Sequence, residues 1–205
     1  MRVGIVLFDG FEELDAIGPL EVFGVAANRD EAVSVGTYGL EADAGRVTAS
    51  HGLVVVPVGH LPDDDIDVLV VPGGGWNDGR GVDTAIERGR LVEIVRSSVE
   101  RGRTVASVCT GAMALAAAGV LTDRPATTHH AAADDLRERG AVVIDARVVD
   151  DGQLVTAAGV TAGLDLALWL IERERGSDLA RSIAETIAYE PSGDVRRANA
   201  DAVGG

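Results

Sequence analysis

The chain has 205 residues, of which 46% are apolar, enough to bury a sizeable core in one α/β domain. Its 18 basic residues, all arginine, stand against 33 acidic ones, for a net charge of −15. That field opposes nucleic acid and anionic membranes and suits a medium of high salt, where screening relieves self-repulsion. The single cysteine excludes an internal disulfide and a zinc site of clustered thiols.

Residues 3–8, VGIVLF, are too few for a typical helix and stop at Asp9-Gly10, which predicts a buried strand and a turn. Acidic residues follow at once and no small-residue cleavage site appears, so this run reads as a strand rather than a leader, and a cytoplasmic protein is expected. No segment has the length of a membrane span. Residues 11–27 have helical spacing through Leu14, Ile17, Leu20 and Phe23. Pro19 lies inside them, lacks an N–H and crowds the Asp15 carbonyl, so a kink or restart is expected near Gly18. Asp15 then sits on an irregular first turn, just beyond the first strand. A strand is expected over 33–38, and edge strands within 41–58, where HGLVVVPVG is the clearest run. The acidic patch Asp63, Asp64, Asp65 and Asp67 reads as a wet approach to a strand at 68–71. That strand ends in the loop Pro72-Gly73-Gly74-Gly75.

One amphipathic helix is predicted over 84–101 from Leu91, Ile94, Val95 and Val99, closed by Gly102. A strand at 104–108 leads into Cys109-Thr110-Gly111, which opens a small-residue helix to about residue 118. Then come a short strand at 126–129, a helix at 131–139, and short strands at 142–144, 147–149 and 154–156. Asp151-Gly152 is a hairpin turn signal. Helices over 163–175 and 178–189 complete a single domain spanning 1–190, and the polar tail 191–205 is expected to fray. The strand–helix rhythm predicts a mostly parallel sheet with right-handed crossovers and helices on both faces.

Ligands of such sheets collect beyond the C-terminal strand ends, where Asp15, Gly73-Gly74-Gly75 and Cys109 all fall. A cysteine between strand and helix is lifted above the sheet, and the helix N-terminus favours its thiolate; the plain alternative is a small buried hydrophobe. Asp15 reads as an acid or base whose carboxyl a nearby thiolate would push up, or as a helix cap. The glycines read either as a flexible turn or as an unobstructed set of N–H donors for an anion. Thr110 has a hydroxyl for substrate or acid, or simply starts the helix. His129 and His130 are candidates for lining the site, or polar loop residues, and the adjacent pair lacks a third metal ligand. His51 and His60 have less support. No complete motif for a metal, nucleotide or flavin is present, and no cofactor is expected.

In order along the chain, DGFEELDAIGPLEVF, VVPGG, ASVCTGAMALAAAGVL, ATTH and TAAGVTAGLDLAL resemble the ThiJ/PfpI superfamily, related to class I glutamine amidotransferases. The resemblance covers nearly the whole chain and lies toward the isonitrile hydratase-like branch. It implies a flavodoxin-like three-layer α/β sandwich, commonly a homodimer, with a nucleophile elbow at Cys109. Asp15 would be the catalytic acid, Thr110 the elbow neighbour, and Gly73 and Gly74 part of an oxyanion pocket. His129 matches the ATTH histidine, and His130 stands where that branch commonly has tryptophan. The implied reaction adds water to an organic isonitrile, through a thioimidate on Cys109, to give an N-substituted formamide. Peptidase-like members carry histidine directly after the cysteine, where this chain has Thr110, and no downstream histidine–glutamate pair of the amidotransferases is evident. Glyoxalase- or deglycase-like members usually carry glutamate at the position of Asp15. A carbonyl-stress protein of that kind, or a non-enzymatic ligand or redox sensor, is the alternative. Regulators with similar domains bear a helix-turn-helix region, and no basic stripe or recognition helix is seen here.

Overall fold

The computed structural model describes residues 1–41, 45–61 and 66–198. Asp63, Asp64 and Asp65 of the acidic patch lie outside the described residues, as do residues 199–205. In chain order the elements begin with β1 (Arg2–Leu7), α1 (Glu13–Ala27), β2 (Ser34–Gly39), β3 (Val47–Thr48), β4 (Val54–Val55), β5 (Gly59–His60) and β6 (Val68–Val71). Next are α2 (Val82–Glu87), α3 (Arg90–Glu100), β7 (Thr104–Val108), α4 (Ala112–Ala117), β8 (Pro125–Ala126), α5 (Ala133–Glu138) and β9 (Val142–Val143). Last come β10 (Val148–Asp151), β11 (Leu154–Ala157), α6 (Ala162–Arg175), α7 (Ser177–Thr186) and β12 (Val195–Arg197).

Apolar residues on both faces make β1, β6 and β7 interior strands. They sit side by side in a sheet of order β12-β10-β11-β7-β6-β1-β2-β5. Ile5 lies opposite Val70, and Val70 opposite Ala106, in parallel register. Only the β10–β11 pairing of this sheet is antiparallel. Helices α1, α6 and α7 pack on one another, as do α2, α3 and α4, and these two groups flank the sheet in a flavodoxin-like sandwich. The largest fully buried side chains include Phe11, Phe23, Leu7, Leu69, Leu115 and Leu166, so the core is aliphatic with few rings.

Several boundaries differ from the sequence reading, each for a physical reason. Helix α1 runs through Pro19 without restarting. The proline ring is used in packing: a Cβ on Gly163 would lie 3.3 Å from Pro19 Cδ, so α1 and α6 meet closely there. The single helix expected over 84–101 is two, because Gly89 adopts φ +80°, outside the helical region. The run HGLVVVPVG contributes two short pieces: β4, paired with β3 outside the main sheet, and β5 on its edge. The strand expected at 126–129 is only β8, which pairs with β9. The hairpin turn is Gly152-Gln153, one residue later than read, since Asp151 still pairs with Leu154. Asp150 accepts the Gly152 N–H at 2.8 Å and closes that turn. Within the polar tail, β12 pairs in parallel with β10 and so is sheet rather than frayed chain. No helix among the described residues is long and apolar enough to cross a membrane.

Candidate active site

Because β1, β6 and β7 are neighbours, the residues that follow them converge at one end of the sheet. Val108 closes β7 in extended geometry, and Cys109 turns at once to φ +57°, a left-handed conformation that costs a non-glycine residue about 1 kcal/mol or more. Two bonds hold it there. The Cys109 N–H donates to the Ala158 carbonyl at 2.8 Å, and the Thr128 hydroxyl donates to the Cys109 carbonyl at 2.8 Å. Gly111 completes the elbow because a Cβ there would lie 2.4 Å from the Val71 carbonyl oxygen.

Asp15 lies in the first turn of α1 and is fully buried. Its Oδ2 accepts the Gly73 N–H at 2.9 Å, while Oδ1 is buried without an ordinary hydrogen bond. The Cys109 thiol is the polar group beside the carboxyl. Burial pushes the Asp15 carboxyl up to about 7; the Gly73 amide opposes this, the nearby Glu12 charge adds to it, and the thiol opposes it. Burial likewise pushes the Cys109 thiol up to about 12, helped by the Asp15 charge and opposed by the Thr110 amide and hydroxyl. Here the structure corrects the sequence reading. The helix-start donors act on sulfur as expected, but burial and a carboxylate neighbour outweigh them, so the resting proton belongs to sulfur. Asp15 is raised chiefly by burial rather than by a thiolate.

The glycine loop also differs from an unobstructed donor array. The Gly73 N–H is engaged by Asp15, and the Gly74 N–H donates to the Thr110 hydroxyl at 3.0 Å. That hydroxyl donates back to the Gly74 carbonyl at 2.9 Å. The loop therefore braces Asp15 and Thr110 in this state, and neither amide is a free oxyanion donor. Glu12 N–H donates to the Gly73 carbonyl at 2.9 Å, tying the start of α1 to the same loop.

His129 and His130 sit further out. The His129 Nδ1 accepts the Ala131 N–H at 3.2 Å, and its ring edge stands against Gly159. Burial and then His130 lower its pKa. His130 is exposed, its ring 4.1 Å from that of His129. Neither makes a hydrogen bond to Cys109 or Asp15 among the bonds of the described residues. His129 is tied to the elbow only through its neighbour Thr128, whose hydroxyl holds the Cys109 carbonyl.

Two groupings were invisible in the sequence because their members are far apart in it. Donor atoms of Glu12, Glu13 and His51 lie within 4.8 Å of one another, and His51 Nδ1 is 2.8 Å from Glu13. This is a carboxylate–imidazole set with donor types that suit a divalent cation; Glu12 and Glu13 are half-buried and His51 is exposed. The second joins Trp76 and Asn77 to Asp135, whose Oδ2 accepts from Trp76 Nε1 at 2.5 Å and from Asn77 Nδ2 at 2.8 Å.

Comparison with known proteins finds relatives over most of the chain. The DJ-1/PfpI family matches residues 1–173. An isonitrile hydratase of Pseudomonas putida is 37% identical over 193 residues, covering 94% of this chain and 80% of that protein. A deglycase of Thermococcus kodakarensis is 34% identical over 175 residues, covering 84% of this chain and 96% of that one. The crystal structure of a ThiJ/PfpI family protein from Pseudomonas syringae superposes with a TM-score of 0.81 at 30% identity, over 93% of this chain and 76% of that one.

Proposed function

This chain belongs to the DJ-1/PfpI family, and from that premise we propose that it hydrates an organic isonitrile to an N-substituted formamide. The observation that carries the reading is the buried pair of Asp15 and Cys109 at the elbow, in which a carboxyl poised at about 7 faces a thiol that keeps its proton. As sulfur attacks the terminal carbon of R–N≡C, the S–C bond forms. The Asp15 carboxylate takes the thiol proton and delivers it to that carbon, giving the thioimidate S–CH=N–R. Asp15 then draws a proton from water as its oxygen adds to the carbon, and passes that proton to nitrogen. The C–S bond breaks, the hydroxyl proton returns to sulfur, and HC(=O)–NH–R leaves. Thr110 keeps the elbow and the glycine loop in register, and Gly73 orients the carboxyl. No cofactor enters this sequence, and a reduced Cys109 fits a cytoplasmic setting.

The deglycase relative supports a second reading, in which Cys109 adds to a carbonyl carbon. A small panel of isonitriles and, separately, a small dicarbonyl offered to the reduced wild type and to C109S decide between them. Formamides of matching mass are expected from the wild type, with turnover by folded C109S lower by about 10³-fold or more. Consumption of a small dicarbonyl with no formamide selects the carbonyl reading, and undiminished turnover by C109S removes the covalent path.

The same proposal includes a homodimer. Leu53, Val54, Val56 and Val58 are all exposed, Val58 at 73%, and residues 51–61 carry no acidic residue or arginine in a chain of net charge −15. Two copies can meet on this segment without bringing like charges together. The substitution pair V56D/V58D is expected to shift sedimentation equilibrium to the monomer; an unchanged mass would place the contact elsewhere.

A further inference from the structure

Cys109 is flanked by two segments. One is the loop after β6, whose Gly74 exchanges hydrogen bonds with Thr110. The other is the stretch before α5, whose Thr128 holds the Cys109 carbonyl. Trp76 belongs to the first and Asp135 to the helix that ends the second, so the Trp76–Asp135 bond spans the gap between them. The chain arranges this deliberately: Asn77 takes φ +59°, and the two consecutive side chains then reach one carboxylate oxygen. One turn further, just past the end of α5, the Arg139 guanidinium stands over the indole, 5.3 Å from its centroid. The ring is half-buried, and the proposed reaction steps make no use of it.

We propose that Trp76 is a specificity-determining residue whose indole walls the cleft over Cys109 and takes the apolar N-substituent of the substrate, with Asp135 as the positioning residue that holds the ring. The identity of the substrate rests on the hydratase reading; the wall does not. The bond to Asp135 holds the indole between the two segments that flank Cys109, and on the proposed placement a flat or bulky alkyl or aryl group gains from its apolar face while a small group does not.

The test has two arms, each read as a ratio. In the first, Cys109 is alkylated by iodoacetamide and by its N-phenyl analogue, followed by mass spectrometry. Here sulfur displaces iodide from carbon whatever the natural substrate is. In the second, kcat/KM is measured for a small alkyl and a benzyl isonitrile. W76A is expected to lower the large-to-small ratio about tenfold in both arms, and in the second through KM rather than kcat. D135A is expected to move it the same way, and D135N, whose amide oxygen still accepts from the indole, to restore it. In a W76F background, which keeps a ring but no N–H donor, D135A is expected to lose its effect. An unchanged ratio in folded W76A overturns the proposal, and so does a D135A effect that persists with W76F. A wild type that turns over no isonitrile removes the hydratase reading, and the alkylation ratio then decides the wall alone.

Discussion

D15N is expected to be more stable than the wild type above pH 7 and to have lost most of its activity. The carboxyl ionises near 3.8 in an ordinary chain and near 7 in the fold. Between those values the unfolded state sheds its proton while the native state keeps it, so wild-type stability falls as pH rises through this window. The difference corresponds to a cost of at most about 4 kcal/mol for the buried carboxylate. An asparagine never ionises, and its amide oxygen can still accept the Gly73 N–H. The gap between variant and wild type should therefore be small near pH 4, widen towards pH 7 and stay level above it. A gain of about 2 kcal/mol at pH 8 would raise the melting temperature by about 4–8 °C. Activity runs the other way. Wild-type kcat/KM should climb through about pH 7 as the pair gains its base, while D15N should lie about 10²- to 10⁴-fold lower with no such limb. Melting scans and pH–rate profiles of the two proteins check both halves. A D15N protein less stable than wild type at pH 8, or one with a normal pH profile, would show that Asp15 is not the strained base described above.

G73A is the second large effect. Gly73 does not have positive φ, so the backbone tolerates alanine and only the added methyl matters. That methyl would lie 2.6 Å from the Thr110 hydroxyl, 2.7 Å from the Thr110 nitrogen and 2.8 Å from Asp15 Oδ2. All three are below contact distance, and one is backbone, so the elbow and the acid must separate. Displacements of about 1 Å between reacting groups cost about 10²-fold; a loss at least that large is expected, with about 1–3 kcal/mol of stability from overpacking. Gly24 serves as the control. It is inside α1, has nothing within 4 Å of an added Cβ, and as alanine should gain about 0.5–1 kcal/mol. Full activity in G73A would mean that the loop yields freely and does not brace the pair.

The residues themselves explain which parts of this were legible in the sequence. β1, β6 and β7 are apolar runs bounded by turn residues, and parallel α/β rules then bring Asp15, Gly73 and Cys109 to one end of a sheet. What local pattern does not carry is the state of those groups. The proton on Cys109 depends on burial by a whole fold and on a carboxylate 94 positions away in sequence, and the helix-start argument alone points the other way. The engagement of the Gly73 and Gly74 amides is likewise a tertiary fact. The break at Gly89 was open to reading as a tolerated glycine in a helix, since its neighbours keep the apolar spacing. β12 was hidden because three residues, two of them arginine, have no periodicity to show.

That last strand has a bearing on solubility. A wide parallel sheet leaves two rows of unpaired amides and carbonyls at its borders, ready to recruit a stranger's backbone. Here one border is the two-residue β5, too short to template an added strand. The other is β12, whose Arg196 and Arg197 are both exposed, so an approaching chain meets charge before it meets hydrogen-bonding groups. The polar residues near the end of this chain thus keep an aliphatic sheet from growing sideways into an aggregate.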